Sequence, residues 1–226
     1  MRILIVAATA AEIAPLLAAL TTRPDVEARL LACKRGVHDI DVLTTGVGMV
    51  ATAGWSSRLL AMREYDLALN LGVCGSFDPA IGTGTVVHVV SEELPEMGAE
   101  ADDRFLTVHD LKLLGRDDFP FRDGRLINSD PPDVAALKTL PAVRGITINT
   151  VHGNDKSIAT VRQQCDPQVE TMEGAAFMYA CLIAGTTFAE VRAVSNIVEK
   201  RNRAAWKLGE AIDNLNVAAL NILNQA

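Results

Sequence analysis

The chain has 226 residues, few aromatics and a net charge of −7, which fits one α/β domain whose single core is built from Ala, Val, Leu and Ile. An acidic balance with no basic block argues against nucleic acid as a partner, and no uncharged apolar run reaches the ~18 residues of a membrane span. The four histidines are scattered, with no HxxxH or HExxH spacing, so neither a metal site nor a cofactor is expected.

Residues 3–8, ILIVAA, form a continuous apolar run that reads as a buried central strand. The opening stretch has Arg2 as its only early basic residue and no small-residue cleavage site, so it reads as a strand running into a helix and not as an export signal. Cys33, Cys74, Cys165 and Cys181 form no CxxC pair, and reduced thiols in the cytoplasm are expected. Thr9-Ala-Ala-Glu12 matches a capping box. Pro15, however, fits best near the first position of a helix, which starts that helix near Ala14. Glu12 then lies in the turn at the carboxyl end of the first strand, the edge where open α/β sheets bind ligands. Both readings of Glu12, cap and site acid, stand at this point.

Residues 28–34 and 39–45 look like a strand pair about a turn. In 44–54, Gly46-Val-Gly48-Met-Val-Ala51 satisfies a loose GxGxxA pattern. Asp66 precedes the next strand instead of ending it, so a dinucleotide site is rejected. The glycines still let backbone pass close to a ligand before a helix over 49–62. A second buried strand, 67–73, runs into a glycine turn at 72–76, and 85–90 is a third β-rich run. Residues 91–130 are acidic and loop-rich, with Phe105, Phe119 and Phe121 spread through them; they read as a flap over a site or as an irregular edge. A strand over 142–149 and a polar loop over 151–157 follow, then a short amphipathic segment.

Residues 169–184, VETMEGAAFMYACLIA, are apolar or small on nearly every face, so a helix there is expected to be buried all round and to end at Gly185. Glu173 falls in its first turn. An ionised carboxylate there either complements the helix dipole or accepts from a pair of vicinal hydroxyls, such as those of a ribose. A strand over 188–195 ends in Ser195-Asn196, and Asn202 is read as the cap of a final amphipathic helix. Strands alternate with helices throughout, and Glu12, the 72–76 turn and Asn196 all fall at expected carboxyl ends of strands. Three unlike polar features on one sheet edge favour a site there more than any one of them does alone.

Taken together, AATAAE at 7–12, TTGVGMV at 44–50, NLGVCGS at 70–76, VETMEGAA at 169–176 and VRAVSN at 191–196 resemble the purine nucleoside phosphorylase/nucleosidase family over nearly the whole chain. Within that family the likeness is to the methylthioadenosine/S-adenosylhomocysteine nucleosidase branch. The segment over 191–212 is similar to the carboxyl end of the futalosine hydrolases. The resemblance implies a single three-layer α/β/α domain over 1–226 with a mixed, largely parallel twisted sheet, acting as a homo-oligomer on a small-molecule purine nucleoside. It implies that Glu12 activates a water, that Glu173 holds the ribose hydroxyls with Met172 against the sugar, and that Cys74 and Gly75 face the base. Val47 and Trp206 fall at positions on the 5′ side of the sugar. Asn196 stands where adenine-specific members carry an aspartate, and Val73 where they usually carry serine. An amide can donate to O6 and accept from N7–H, which favours hypoxanthine over adenine. The glycine loops hold no arginine to take phosphate, which favours hydrolysis over phosphorolysis. The resulting expectation is hydrolysis of futalosine. A methylthioadenosine/S-adenosylhomocysteine nucleosidase, a phosphorylase and a non-catalytic nucleoside-binding protein are the alternatives. For an aryl carboxylate on the 5′ extension, Arg104, His109, Lys112, Arg122 and Arg203 are all candidate partners.

Overall fold

In the computed structural model, which describes residues 1–27 and 29–226, the amino-terminal apolar run is strand β1 (Arg2–Ala7), followed by α1 (Ala14–Ala18), β2 (Thr21–Glu27), β3 (Leu30–Arg35), β4 (His38–Thr44), α2 (Met49–Met62) and β5 (Leu67–Ser76). The chain continues through β6 (Val86–Glu93), β7 (Gly98–Ala101), β8 (Arg104–Thr107), β9 (Leu126–Ile127), α3 (Ala135–Lys138), β10 (Ala142–Thr147) and α4 (Asp155–Cys165). It ends with β11 (Val169–Thr171), α5 (Gly174–Ala184), β12 (Phe188–Ile197) and α6 (Leu208–Leu223).

Side-chain alternation along β1 builds the layers. Ile3, Ile5 and Ala7 pack with Ala211, Leu215, Ala219 and Ile222 of α6. Leu4 and Val6 face the other way, onto Phe177, Met178 and Cys181 of α5. The result is a three-layer α/β/α fold around a mixed sheet of order β11-β10-β6-β12-β5-β1-β4-β3-β2. Strands β4, β1, β5 and β12 run parallel at its centre. Because β11 also pairs antiparallel with β5, the strands β5, β12, β6, β10 and β11 close into a ring. Closure removes the free edges on that side of the sheet. Among the described residues no helix is long and apolar enough to cross a membrane.

Several local expectations change. The expected glycine turn at 72–76 is the second half of β5, held as strand by β12 on one side and β11 on the other. Long-range pairing overrides the turn propensity of its glycines. Residues 169–171 are a strand and not the start of the helix, because they pair with both β10 and β5. Glu173 is the residue before the first helical one, not part of the first turn. Nor is α5 buried all round: Tyr179 and Ile183 are exposed. Asn202 precedes a short 3-10 turn and makes no side-chain cap, and α6 begins only at Leu208. Strand β2 had no counterpart in the sequence reading, and Ala28, the first residue of an expected strand, lies outside the described residues. Within 91–130, β7 and β8 form a separate hairpin and Phe121 is buried, while Phe119 is exposed.

Candidate active site

Glu12 sits in the turn between β1 and α1. Pro15 occupies the start of α1, which holds the helix back from Glu12. Its Oε2 accepts from the Thr9 N–H at 3.0 Å and the Thr9 hydroxyl at 2.8 Å, and its Oε1 accepts from the Val73 N–H at 3.2 Å. The Thr9 contacts are those of a capping box, yet no helix begins at Thr9; the bond to Val73 ties the acid to the end of β5 instead. Asn216 of α6 clamps the same turn, donating to the Glu12 carbonyl at 2.8 Å and accepting from the Leu16 N–H at 2.9 Å.

Glu173 is buried, and its side chain does not cap its own helix. Oε1 accepts from the Gly48 N–H at 2.9 Å, and Oε2 lies 3.6 Å from Nη1 of Arg192. Gly48 has φ of 96°, a region that glycine adopts without a Cβ penalty, so its N–H turns toward Glu173.

Arg192 is the principal residue that sequence reading missed. It is almost fully buried, on β12. Its Nε donates to Glu190 Oε1 at 2.9 Å and its Nη2 to Asn70 Oδ1. Burial by itself would lower its pKa; the carboxylates of Glu190, Glu173 and Glu12 reverse this and push it up. Glu190 and Glu92 lie beneath, both fully buried. Burial raises both carboxyls above the usual range, and for Glu92 the facing Glu190 adds to the rise. The readable signal was FAEVRAV, in which Glu190 and Arg192 share one face of an otherwise apolar strand.

Asn196 owes its direction to a break in β12. Val194 pairs with Cys74 and Asn196 with Gly75, leaving Ser195 as an extra residue. Such a bulge re-aims the side chain beyond it. The Asn196 Oδ1 accepts from the Ser195 hydroxyl at 2.9 Å, and its Nδ2 donates to the Ile197 carbonyl at 3.2 Å. Gly75 opposite has no room for a side chain: a Cβ there would stand 2.9 Å from Val198, 3.2 Å from Glu170 Cγ and 3.3 Å from Asn196 Nδ2. Burial pushes the Cys74 thiol up, so it faces the site as a neutral contact and not as a nucleophile.

These elements enclose one cavity of about 390 Å³, within the ~300–1,000 Å³ typical of small-molecule sites. Glu12, Val47, Cys74, Gly75, Met172, Glu173, Asn196 and Trp206 all line it. So do Glu170 and His152, which sequence reading had not singled out. Among the described residues on its wall there is no lysine or arginine. No residue of 91–130 lines it either; Arg104 and Phe105 instead line an adjoining groove of about 780 Å³ that shares His152. Of the five basic candidates for a 5′ carboxylate, Arg203 is the one beside the cavity, its guanidinium 6.0 Å from the Trp206 ring, with Arg201 at 5.7 Å.

Comparison with known proteins places this geometry in context. A family model described as the phosphorylase superfamily matches residues 2–224. A futalosine hydrolase of Streptomyces coelicolor is 32% identical over 182 residues, covering 76% of this chain and 73% of that protein. A 5′-methylthioadenosine/S-adenosylhomocysteine nucleosidase of Colwellia psychrerythraea is 27% identical over 198 residues, covering 83% of this chain and 79% of that protein. The crystal structure of a Colwellia psychrerythraea nucleosidase of that kind in complex with adenine superposes with a TM-score of 0.80 at 24% identity, covering 100% of this chain and 95% of that one.

Proposed function

The chain belongs to the phosphorylase superfamily, in its nucleosidase branch, and on that footing we propose that it hydrolyses the N-ribosidic bond of a 5′-modified 6-oxopurine nucleoside, with futalosine as the substrate and hypoxanthine as the released base. The observation that carries hydrolysis is the cavity wall, where Glu12, Glu170 and Glu173 converge and no lysine or arginine stands among the described lining residues. Such a wall repels phosphate and leaves water as the acceptor.

In this reading the nucleoside lies with its ribose hydroxyls donating to Glu173 and its sugar face on Met172. Glu12 takes a proton from the attacking water. The water oxygen bonds to C1′ as the C1′–N9 bond breaks, the bond electrons leave with the purine, N7 takes a proton from solvent, and Glu12 afterwards returns the proton it took to solvent. The Glu173 carboxylate stands beside the cationic sugar of the transition state. Arg192 keeps Glu12 and Glu173 close together: a Cβ at Gly72 would overlap its guanidinium and lie 3.0 Å from Glu12 Oε1. Asn196 donates to O6 and accepts from N7–H. The 5′ aryl carboxylate reaches Arg203 and Arg201 beside Trp206. The exposed apolar residues Val50, Tyr179 and Ile183 on the adjacent helices α2 and α5 support a homo-oligomer, which sedimentation of the purified protein tests.

The deciding experiment incubates the protein, without phosphate, with futalosine, inosine and methylthioadenosine and follows the free base by chromatography. Hypoxanthine from futalosine is the expected result. Adenine from methylthioadenosine alone would make it an adenine-specific nucleosidase, and release that requires phosphate would make it a phosphorylase.

A further inference from the structure

Asn196 alone does not fix the identity of the base. A primary amide carries a donor at one end and an acceptor at the other, so turning it over would let it meet either an oxo or an amino group at C6. The neighbouring ring position is more decisive. A 6-oxopurine carries a hydrogen on N1, whereas a 6-aminopurine has a lone pair there. A group of fixed polarity facing N1 therefore separates the two classes.

Glu170 is such a group. It sits at the centre of β11, 4% exposed, and lines the cavity beside Asn196. Its Oε2 is 2.6 Å from His152 Nδ1, and its Oε1 accepts from the His152 N–H at 3.2 Å. The His152 ring is braced in turn by the edge of Phe77, with ring centres 5.9 Å apart. A carboxylate offers about four lone-pair sites, and the His152 loop occupies one on each oxygen. What remains is acceptor only. Glu170 and Asn196 both pack against Gly75 on the cavity wall, where a Cβ would stand 3.2 Å from Glu170 Cγ and 3.3 Å from Asn196 Nδ2, so the acid and the amide are neighbours at one end of the cavity.

We propose that Glu170, held in place by His152, is a specificity-determining residue that accepts a hydrogen bond from N1–H of a 6-oxopurine and repels the N1 lone pair of a 6-aminopurine. The proposal rests on the purine-nucleoside reading above and assigns the base preference to a residue other than Asn196. It also explains why this acid is buried in a loop-bracing role that a neutral side chain would fill at lower cost.

The test is calorimetric titration of the intact protein with three free bases: hypoxanthine, adenine and 1-methylhypoxanthine, which lacks the N1 hydrogen. Wild type is expected to bind hypoxanthine about 10–100-fold more tightly than either of the others, the worth of one hydrogen bond to a charged group. Glu170→Gln, which can present an amide N–H to N1, is expected to lose that preference and gain in adenine affinity. If wild type prefers hypoxanthine to adenine and Glu170→Gln keeps the preference, the assignment to Glu170 fails while the 6-oxopurine reading survives. If wild type prefers adenine, or binds none of the three, that reading fails and takes the inference with it. The wild-type comparison needs no variant: equal affinity for hypoxanthine and 1-methylhypoxanthine overturns the role of Glu170 even if Glu170→Gln does not fold.

Discussion

Replacing Glu92 by glutamine should leave the protein folded and change how its stability responds to pH. Glu92 and Glu190 are both fully buried. Glu190 has the Arg192 guanidinium at 2.9 Å, whereas Glu92 has the hydroxyls of Thr147 at 2.9 Å and Thr171 at 3.5 Å and the facing carboxyl of Glu190. The cation favours the ionised form of Glu190 and offsets part of its burial, so the proton of the pair is assigned to Glu92. Its folded pKa is raised well above the ordinary value of 4.5, first by burial and then by Glu190. Below that ordinary value both the folded and unfolded chains carry the proton, and its stabilising contribution is complete. As pH rises, the unfolded chain releases the proton while the folded one keeps it, so wild-type stability falls by about 1.4 kcal/mol per pH unit until the folded pKa is reached. Glu92→Gln has the shape of the neutral acid and no proton to lose. Between the ordinary carboxyl pKa and the raised folded one, the variant should therefore gain steadily on wild type as pH rises. Urea unfolding at fixed protein concentration and several pH values measures this. Glu190→Gln should instead destabilise the protein at every pH, by up to about 3–5 kcal/mol, because it takes from a buried cation the nearest of its carboxylates. Parallel pH curves for wild type and Glu92→Gln would refute the assignment, and loss of the slope in Glu190→Gln would place the proton on the other acid.

Three further outcomes are expected. Glu12→Gln should lower kcat by about 10²–10⁴-fold while hypoxanthine still binds, as calorimetry would show; unchanged turnover would make Glu12 a structural cap. Gly174→Ala should destabilise the protein by about 1–3 kcal/mol, read by denaturant unfolding, because its Cβ would press on both Glu92 and Glu190, with Glu190 Oε2 at 2.7 Å. Asn196→Asp should slow release of hypoxanthine about 10–100-fold in steady-state assays, and release of adenine should improve only when Glu170→Gln is added.

The candidate site was legible in the sequence where its residues sit in short segments at strand ends. Glu12 was placed by Pro15, which forbids an earlier helix, and Glu173 and Asn196 by the apolar runs that bracket them. All eight residues named from sequence line one cavity. What local reading could not supply were the consequences of pairing between distant segments. Gly72 and Gly75 look like turn residues, but the partners that make them strand lie about a hundred residues further along the chain, in β11 and β12. Residues 169–171 look like helix for the same reason. Glu170 was passed over because only the antiparallel pairing of β11 with β5 brings it beside Gly75. The exposed side of α5 was hidden too, since Tyr179 and Ile183 are as apolar as the residues that face the core.

One strand performs two tasks that ordinary alternation would keep apart. In an unbroken strand, residues 190, 192, 194 and 196 point to the same face. On β12, Glu190 and Arg192 use that face to reach Asn70, Glu173 and the buried acid below. Were the pattern to continue, Asn196 would follow them onto that face. The extra residue at Ser195 resets the phase by one, so the next side chain turns into the cavity while its backbone stays paired with Gly75. The Ser195 hydroxyl, 3.2 Å from the Cys74 carbonyl and 2.9 Å from Asn196 Oδ1, fills the gap the slip creates and fixes the amide. Arg192, which stands beside Glu12 and Glu173, and the Asn196 amide are thus set four residues apart on one strand. Motion of β12 would displace both together, and this keeps the spacing between the two carboxylates and the amide independent of the loops around the cavity.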